Sequence, residues 1–79
     1  MAEARKLKQI VSPDRKRLAE IWQSGTGLFY FEDLSEESDP YAGTYLAPSH
    51  GSGLHDSAEA AEREARATLP WLRAMDAAR

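Results

Sequence analysis

With 79 residues and a mass of 8.8 kDa, the chain has room for one small domain and no second core. Its 42% apolar and 29% charged residues are those of an ordinary globular chain, and the lack of cysteine removes disulfides, zinc–thiolate sites and thiol nucleophiles. The net charge of −3 hides a local sum of +4 over residues 1–17 and of −7 over residues 18–56, where no lysine or arginine occurs.

Residues 1–8 are charged and lead into no apolar block ending in small residues, so no secretory signal is expected and the location is read as cytoplasmic. The first strand is placed at 7–11. Ser12, Pro13, Asp14, Arg15 and Lys16 follow as a turn, because Pro13 presets its backbone angle and Asp14 can bond its own main chain. A second strand is expected at 17–23 and a third at 28–32, joined by Ser24, Gly25, Thr26 and Gly27. A four-residue loop at 13–16 sets Val11 opposite Leu18 and Leu7 opposite Trp22. A tip at Gly25 and Thr26 sets Trp22 opposite Phe29 and Glu20 opposite Phe31. Leu7, Val11, Leu18, Trp22, Phe29 and Phe31 then share one face, together with the polar Gln9 and Glu20. A competing pattern makes 13–24 helical, with Ser12 as N-cap, Pro13 in the first turn, Leu18, Ile21 and Trp22 as its stripe and Gly25 at its end.

Residues 33–53 read as an acidic loop, with a short fourth strand over Gly43, Thr44, Tyr45 and Leu46 as an alternative before Pro48. A helix is expected at about 57–69. Asp56 serves as its cap, Glu59 is placed to reach back to that cap, and Ala58, Ala61, Ala65, Leu69 and Leu72 mark its buried stripe. Pro70 stops or kinks it, and Trp71 and Leu72 fold back as an apolar plug within a tail at 70–79.

Several residue sets invite chemistry. His50 and His55 lie near Asp56, but a stable metal site needs three or four ligands held in fixed geometry. Ser49, Ser52 and Ser57 lie near the same histidines, yet a triad is recognised by geometry and an oxyanion hole, not by spacing. His50, Gly51, Ser52 and Gly53 precede a helix but match no phosphate-binding fingerprint, and Asp56 sits where a phosphate would. The expectation is therefore no catalytic residue, no metal site and no cofactor. Of the seven aromatics, the three tyrosines fall where no cation is interleaved, which disfavours base stacking.

One helix covers only one face of a sheet. The expected register leaves Ile10, Ala19, Ile21, Leu28 and Tyr30 on the other, as a candidate interaction face for a second copy or another protein. Arg5, Lys6, Lys8, Arg15, Lys16 and Arg17 form a candidate basic edge, which supports nucleic-acid binding as the alternative function.

The run from Ile10 to Asp14, the hairpin ending Phe29, Tyr30 and Phe31, and the stretch from Asp56 to Glu62 closing on Leu69, Pro70, Trp71 and Leu72 resemble short bacterial proteins of unknown function. In layout the chain is also similar to YegP-like domains of unknown function, without their glycine–asparagine turn before the last strand. The resemblance implies a strand–strand–strand–helix order and supplies no site residues. The expected fold is α+β, a three-stranded or four-stranded antiparallel meander with one C-terminal helix on one face. The expected role is a non-enzymatic protein-interaction or accessory module that crosses no membrane, since the longest strong apolar run is Leu28 to Phe31.

Overall fold

Arg5–Val11 (β1) and Arg17–Gln23 (β2) pair antiparallel about a turn that Ser12 closes, in a computed structural model describing residues 3–78. The Ser12 N–H donates to the Arg17 carbonyl at 3.0 Å, and its hydroxyl donates to Asp14 Oδ1 at 2.6 Å. Lys16 N–H donates to the same carboxylate oxygen, and Arg15 turns the corner with φ of 63°. Val11 faces Leu18 as expected, whereas a register slip between Lys6 and Lys8 sets Lys6, not Leu7, opposite Trp22, and the strand at 17–23 excludes the helical alternative.

The second turn is one residue longer than its glycines suggest. Gln23 pairs with Phe29, and Trp22 with Tyr30. Ser24 N–H donates to the Leu28 carbonyl at 2.7 Å, Gly27 N–H to the Ser24 carbonyl at 3.0 Å, and Gly27 has φ of 88°. That is a three-residue loop whose last member takes the left-handed conformation, which glycine adopts without a Cβ penalty. Since strand side chains alternate with period two, the extra residue moves the third strand's partners to the other side. The expected pairs Trp22 with Phe29 and Glu20 with Phe31 are thereby replaced.

Phe29–Asp39 (β3) and Gly43–Gly51 (β4) occupy most of the expected loop at 33–53 and complete a four-stranded sheet in the order β1-β2-β3-β4. Their turn is made by Asp39, whose carboxylate accepts from the N–H groups of Tyr41 and Ala42 at 2.7 and 3.0 Å, and by Gly43 at φ of 82°. These two bonds hold the Asp39 carboxyl below its ordinary 3.8.

Two helices follow where one was expected, Ala58–Thr68 (α1) and Pro70–Ala77 (α2). The cap of α1 is Ser57 and not Asp56: its hydroxyl accepts from Ala60 N–H at 3.1 Å. Leu69 leaves the helical region at φ −85° and ψ 116°, and Pro70 starts the next helix at its first turn, where its missing N–H costs nothing. The expected tail is thus helical through Ala77, and residue 79 lies outside the described residues.

Both helices are represented in a single core, made of Ile10, Ala19, Ile21, Phe31, Ala61, Ala65, Leu69 and Leu72. Ala19, Ala61 and Ala65 are completely buried, and such small side chains allow a close approach of helix and sheet. Phe31, Ile21 and Leu72 are the largest fully buried side chains, each contributing about 1.5–3 kcal/mol. Ile10, Ala19 and Ile21, expected on an open interaction face, therefore form the floor beneath the helices.

One carboxylate is set into this layer. The Asp33 side chain is 4% exposed. Arg17 Nη2 and the Ser49 hydroxyl donate to its Oδ2 at 2.9 and 3.0 Å, and Trp71 Nε1 donates to its Oδ1 at 2.9 Å. Three elements are thereby tied to β3: β2 by Arg17, β4 by Ser49 and α2 by Trp71. The register slip between Asp33 and Leu34 is the irregularity beside which Ser49 reaches inward. Asp33→Ala strands these donors and is expected to lower unfolding free energy by about 2–4 kcal/mol in urea denaturation, with Asp33→Asn costing less; a change within about 0.5 kcal/mol for Asp33→Ala contradicts this role.

Candidate interaction surface

Directly opposed residues share a face, so the register maps the side of the sheet turned away from the core row by row. Val11, Leu18, Leu34 and Pro48 are successive partners and form an apolar row across all four strands. Leu18 and Leu34 are half-buried, while Val11 and Pro48 at the edges are exposed. Next to it runs a polar row of Gln9, Glu20 and Glu32 ending at Gly51. Beyond that, Trp22 and Tyr30 stack with ring centroids 6.4 Å apart and planes 6° apart. On the other flank, Leu46 faces Glu36 and is exposed.

The polar row is held in place by its neighbours. Lys6 Nζ reaches Glu20 Oε2 at 3.3 Å, and Trp22 Nε1 donates to Glu20 Oε1 at 3.3 Å. Burial, then the charges of Glu32 and Glu20, hold the Tyr30 phenol above its ordinary 10.0, so it stays protonated and neutral at physiological pH. A register slip between Lys6 and Lys8 sends these two lysines to opposite faces, Lys6 to Glu20 and Lys8 to Glu62 on α1.

Of the five residues expected on the interaction face, Tyr30 lies on this surface and Leu28 is exposed in the turn beside it. Ile10, Ala19 and Ile21 are buried on the opposite side. Val11, Leu18, Trp22, Leu34, Leu46 and Pro48 are the surface residues that the expected register missed, and Gly27 was the available signal, as a glycine closing a three-residue loop.

The six cations of the expected basic edge are dispersed. Lys6 pairs with Glu20, Lys8 with Glu62 at 3.0 Å and Arg17 with Asp33. Arg5 Nη2 donates to Gln23 Oε1 at 3.3 Å. Among the described residues, Arg15 and Lys16 in the first turn have no carboxylate partner in an ion pair.

The histidine and serine sets serve the backbone. Ser49 binds Asp33, Ser52 accepts from the Phe31 N–H at 2.9 Å, and Ser57 caps α1. His50 is exposed with its ring 5.9 Å from that of Phe31, whereas His55 pairs through its main chain with Phe29, its Nε2 buried without a partner. Among the described residues no group of three or more histidine, aspartate or glutamate side chains is gathered as a metal site. A groove of about 550 Å³ lies between the first turn and α2, lined by Pro13, Arg17, Trp71, Ala74 and Met75 among others.

Fold and surface together define a small α+β domain with one covered and one open sheet face. Among the described residues no helix is long and apolar enough to cross a membrane. No known protein family, no characterised protein and no solved structure matches the chain.

Glu62 links Lys8 to Arg66, which in turn reaches Asp76 at 2.6 Å. Burial pushes the Glu62 carboxyl up, but hydrogen bonds from Lys8 and Arg66 outweigh it and leave the group below 4.5. A carboxyl depressed by folding adds stability above its unfolded value and loses it as pH falls through the folded one. Glu62→Gln is therefore expected to cost less than about 1 kcal/mol at neutral pH, and its deficit against wild type, read from urea denaturation, should shrink as the pH is lowered and the Glu62 carboxyl takes up its proton. A deficit that stays constant from neutral to acid pH contradicts the linkage.

Proposed function

We propose that the chain is a non-enzymatic protein-interaction or accessory module of the cytoplasm, and that its docking surface is the open face of the sheet. The observation that carries this reading is the row Val11, Leu18, Leu34 and Pro48, which runs across four strands with no helix over it. The apolar row and the stacked Trp22 and Tyr30 flank the polar row of Gln9, Glu20 and Glu32, which gives an apolar and aromatic surface with polar groups set within it, as an interface centre has. The serines that could serve as nucleophiles are instead engaged in bonds that hold the fold. The layout likeness to short bacterial proteins of unknown function belongs to the same proposal.

Nucleic-acid binding through the first hairpin is the alternative. It rests on Arg15 and Lys16, and it requires affinity that weakens steeply with added salt.

The docking reading is tested by placing a photo-crosslinking residue at position 34 on the open face and, as control, at position 59 on exposed α1 surface. Position 34 should capture a partner that position 59 does not. That partner, purified, should bind the wild type with an affinity that Leu18→Lys weakens by about tenfold or more, some 1.4 kcal/mol. Identical capture from both positions, or binding unaffected by Leu18→Lys in a folded variant, contradicts the proposal.

A further inference from the structure

The hairpin of β3 and β4 outruns the rest of the sheet. Arg17 at the start of β2 pairs with Ser35, and the last bond across that boundary runs from Glu36 N–H to the Lys16 carbonyl at 2.9 Å. Beyond it, Glu36 to Asp39 and Gly43 to Leu46 pair only with each other. This two-stranded arm is exposed on both sides apart from Asp39, and it carries Tyr41, Tyr45 and Leu46 exposed, with Tyr41 at 98% on its tip. An isolated two-stranded ribbon is marginal in water, and large apolar side chains on such a ribbon gain from being covered.

The groove between the first turn and α2 lies at the root of this arm. Its walls include Pro13, Trp71, Ala74 and Met75, together with Asp14, whose carboxylate is taken up by the Ser12 hydroxyl and the Lys16 N–H, and Arg17, whose guanidinium is bound to Asp33. Arg15 and Lys16 lie in the same turn without carboxylate partners among the described residues. The arm presents the opposite charge, Glu36, Glu37 and Asp39 with no cation. It cannot fold back into its own groove while its strands remain paired, because its tip stands about five residues, roughly 17 Å, beyond the root. A second copy has no such restriction. With the groove at the root and Tyr41 at the tip, one twofold axis near the middle of the arm seats both tips at once and closes the assembly as a dimer.

We infer that two copies of this chain associate by exchanging arms, the Tyr41 tip of each entering the groove formed by Pro13, Trp71 and Ala74 of the other, with Glu37 and Asp39 beside Arg15 and Lys16. The interface takes in the arm, with Leu46, and leaves free the row Val11, Leu18, Leu34 and Pro48 on the open sheet face. A chain this short buries only about 60% of its unfolded surface, so covering the arm and the groove together supplements a small core.

Sedimentation of wild type from micromolar to millimolar concentration, with Tyr41→Ala and Ala74→Glu, tests the inference. Both positions are exposed, so the variants retain the fold, which circular dichroism of dilute samples verifies. A concentration-dependent dimer is expected, weakened about tenfold or more by either substitution. Wild type that remains monomeric throughout overturns the inference. So does a dimer that both variants form at wild-type strength, including one lost instead on Leu18→Lys, which places the contact on the open sheet face.

Discussion

Which side of the sheet the helices cover is decided by a single residue in a turn. Side chains alternate along a strand, so the three-residue loop ending in Gly27 commits Ala19, Ile21 and Phe31 to one side and Leu18, Trp22 and Tyr30 to the other. The alanines make the choice of side physical. Ala19 on the sheet and Ala61 and Ala65 on the helix are all completely buried in the same cluster, whereas the opposite side carries Trp22, Glu20 and Lys6, which resist so close a cover. The open face follows from this and so does the surface proposed for docking.

Asp33 reinforces the same arrangement from within. A carboxylate removed from water costs several kcal/mol unless its oxygens are satisfied, and here the donors come from β2, β4 and α2 at once. Only one register of each strand and one seating of α2 satisfies them together. The ion therefore adds selectivity among packings more than net stability, while Ile21, Phe31 and Leu72 supply the apolar burial. Ser49 can take part because the strand slips by one residue beside Asp33, so the irregularity in β4 and the buried charge belong to one device.

Much of this was legible in the residues and some was not, for identifiable reasons. The first hairpin could be read because Pro13 and Asp14 each favour a turn by its own mechanism, and the alanine stripe of α1 repeats at helical spacing. The second hairpin contains two glycines, and placing its tip at Gly25 and Thr26 instead of closing a three-residue loop at Gly27 set the register one residue short, so the residues of β1 and β2 were assigned to the wrong side while Phe31 and Tyr30 of β3 kept theirs. Glu36, Glu37, Ser38 and Asp39 looked like solvated loop because a ribbon exposed on both sides needs no alternation of apolar residues. Pro70 signalled an end and equally marks a beginning, which hid α2. For Asp33 there was no signal at all: among seven acidic residues between 18 and 56, only the fold singles it out. Of the expected interaction face, Tyr30 fell on the open side because it neighbours Trp22 across the strands, and Ile21 did not because its parity is the opposite.

Nuclear Overhauser contacts between the sheet and α1 read directly which face of the sheet the helix covers. Ala19 and Ile21 methyl groups and the Phe31 ring should show contacts to the Ala61 and Ala65 methyls, while the Trp22 indole and the Leu18 methyls show none. Contacts from Trp22 or Leu18 to those alanines, with Ile21 free of them, would place the helix on the other side and contradict the account.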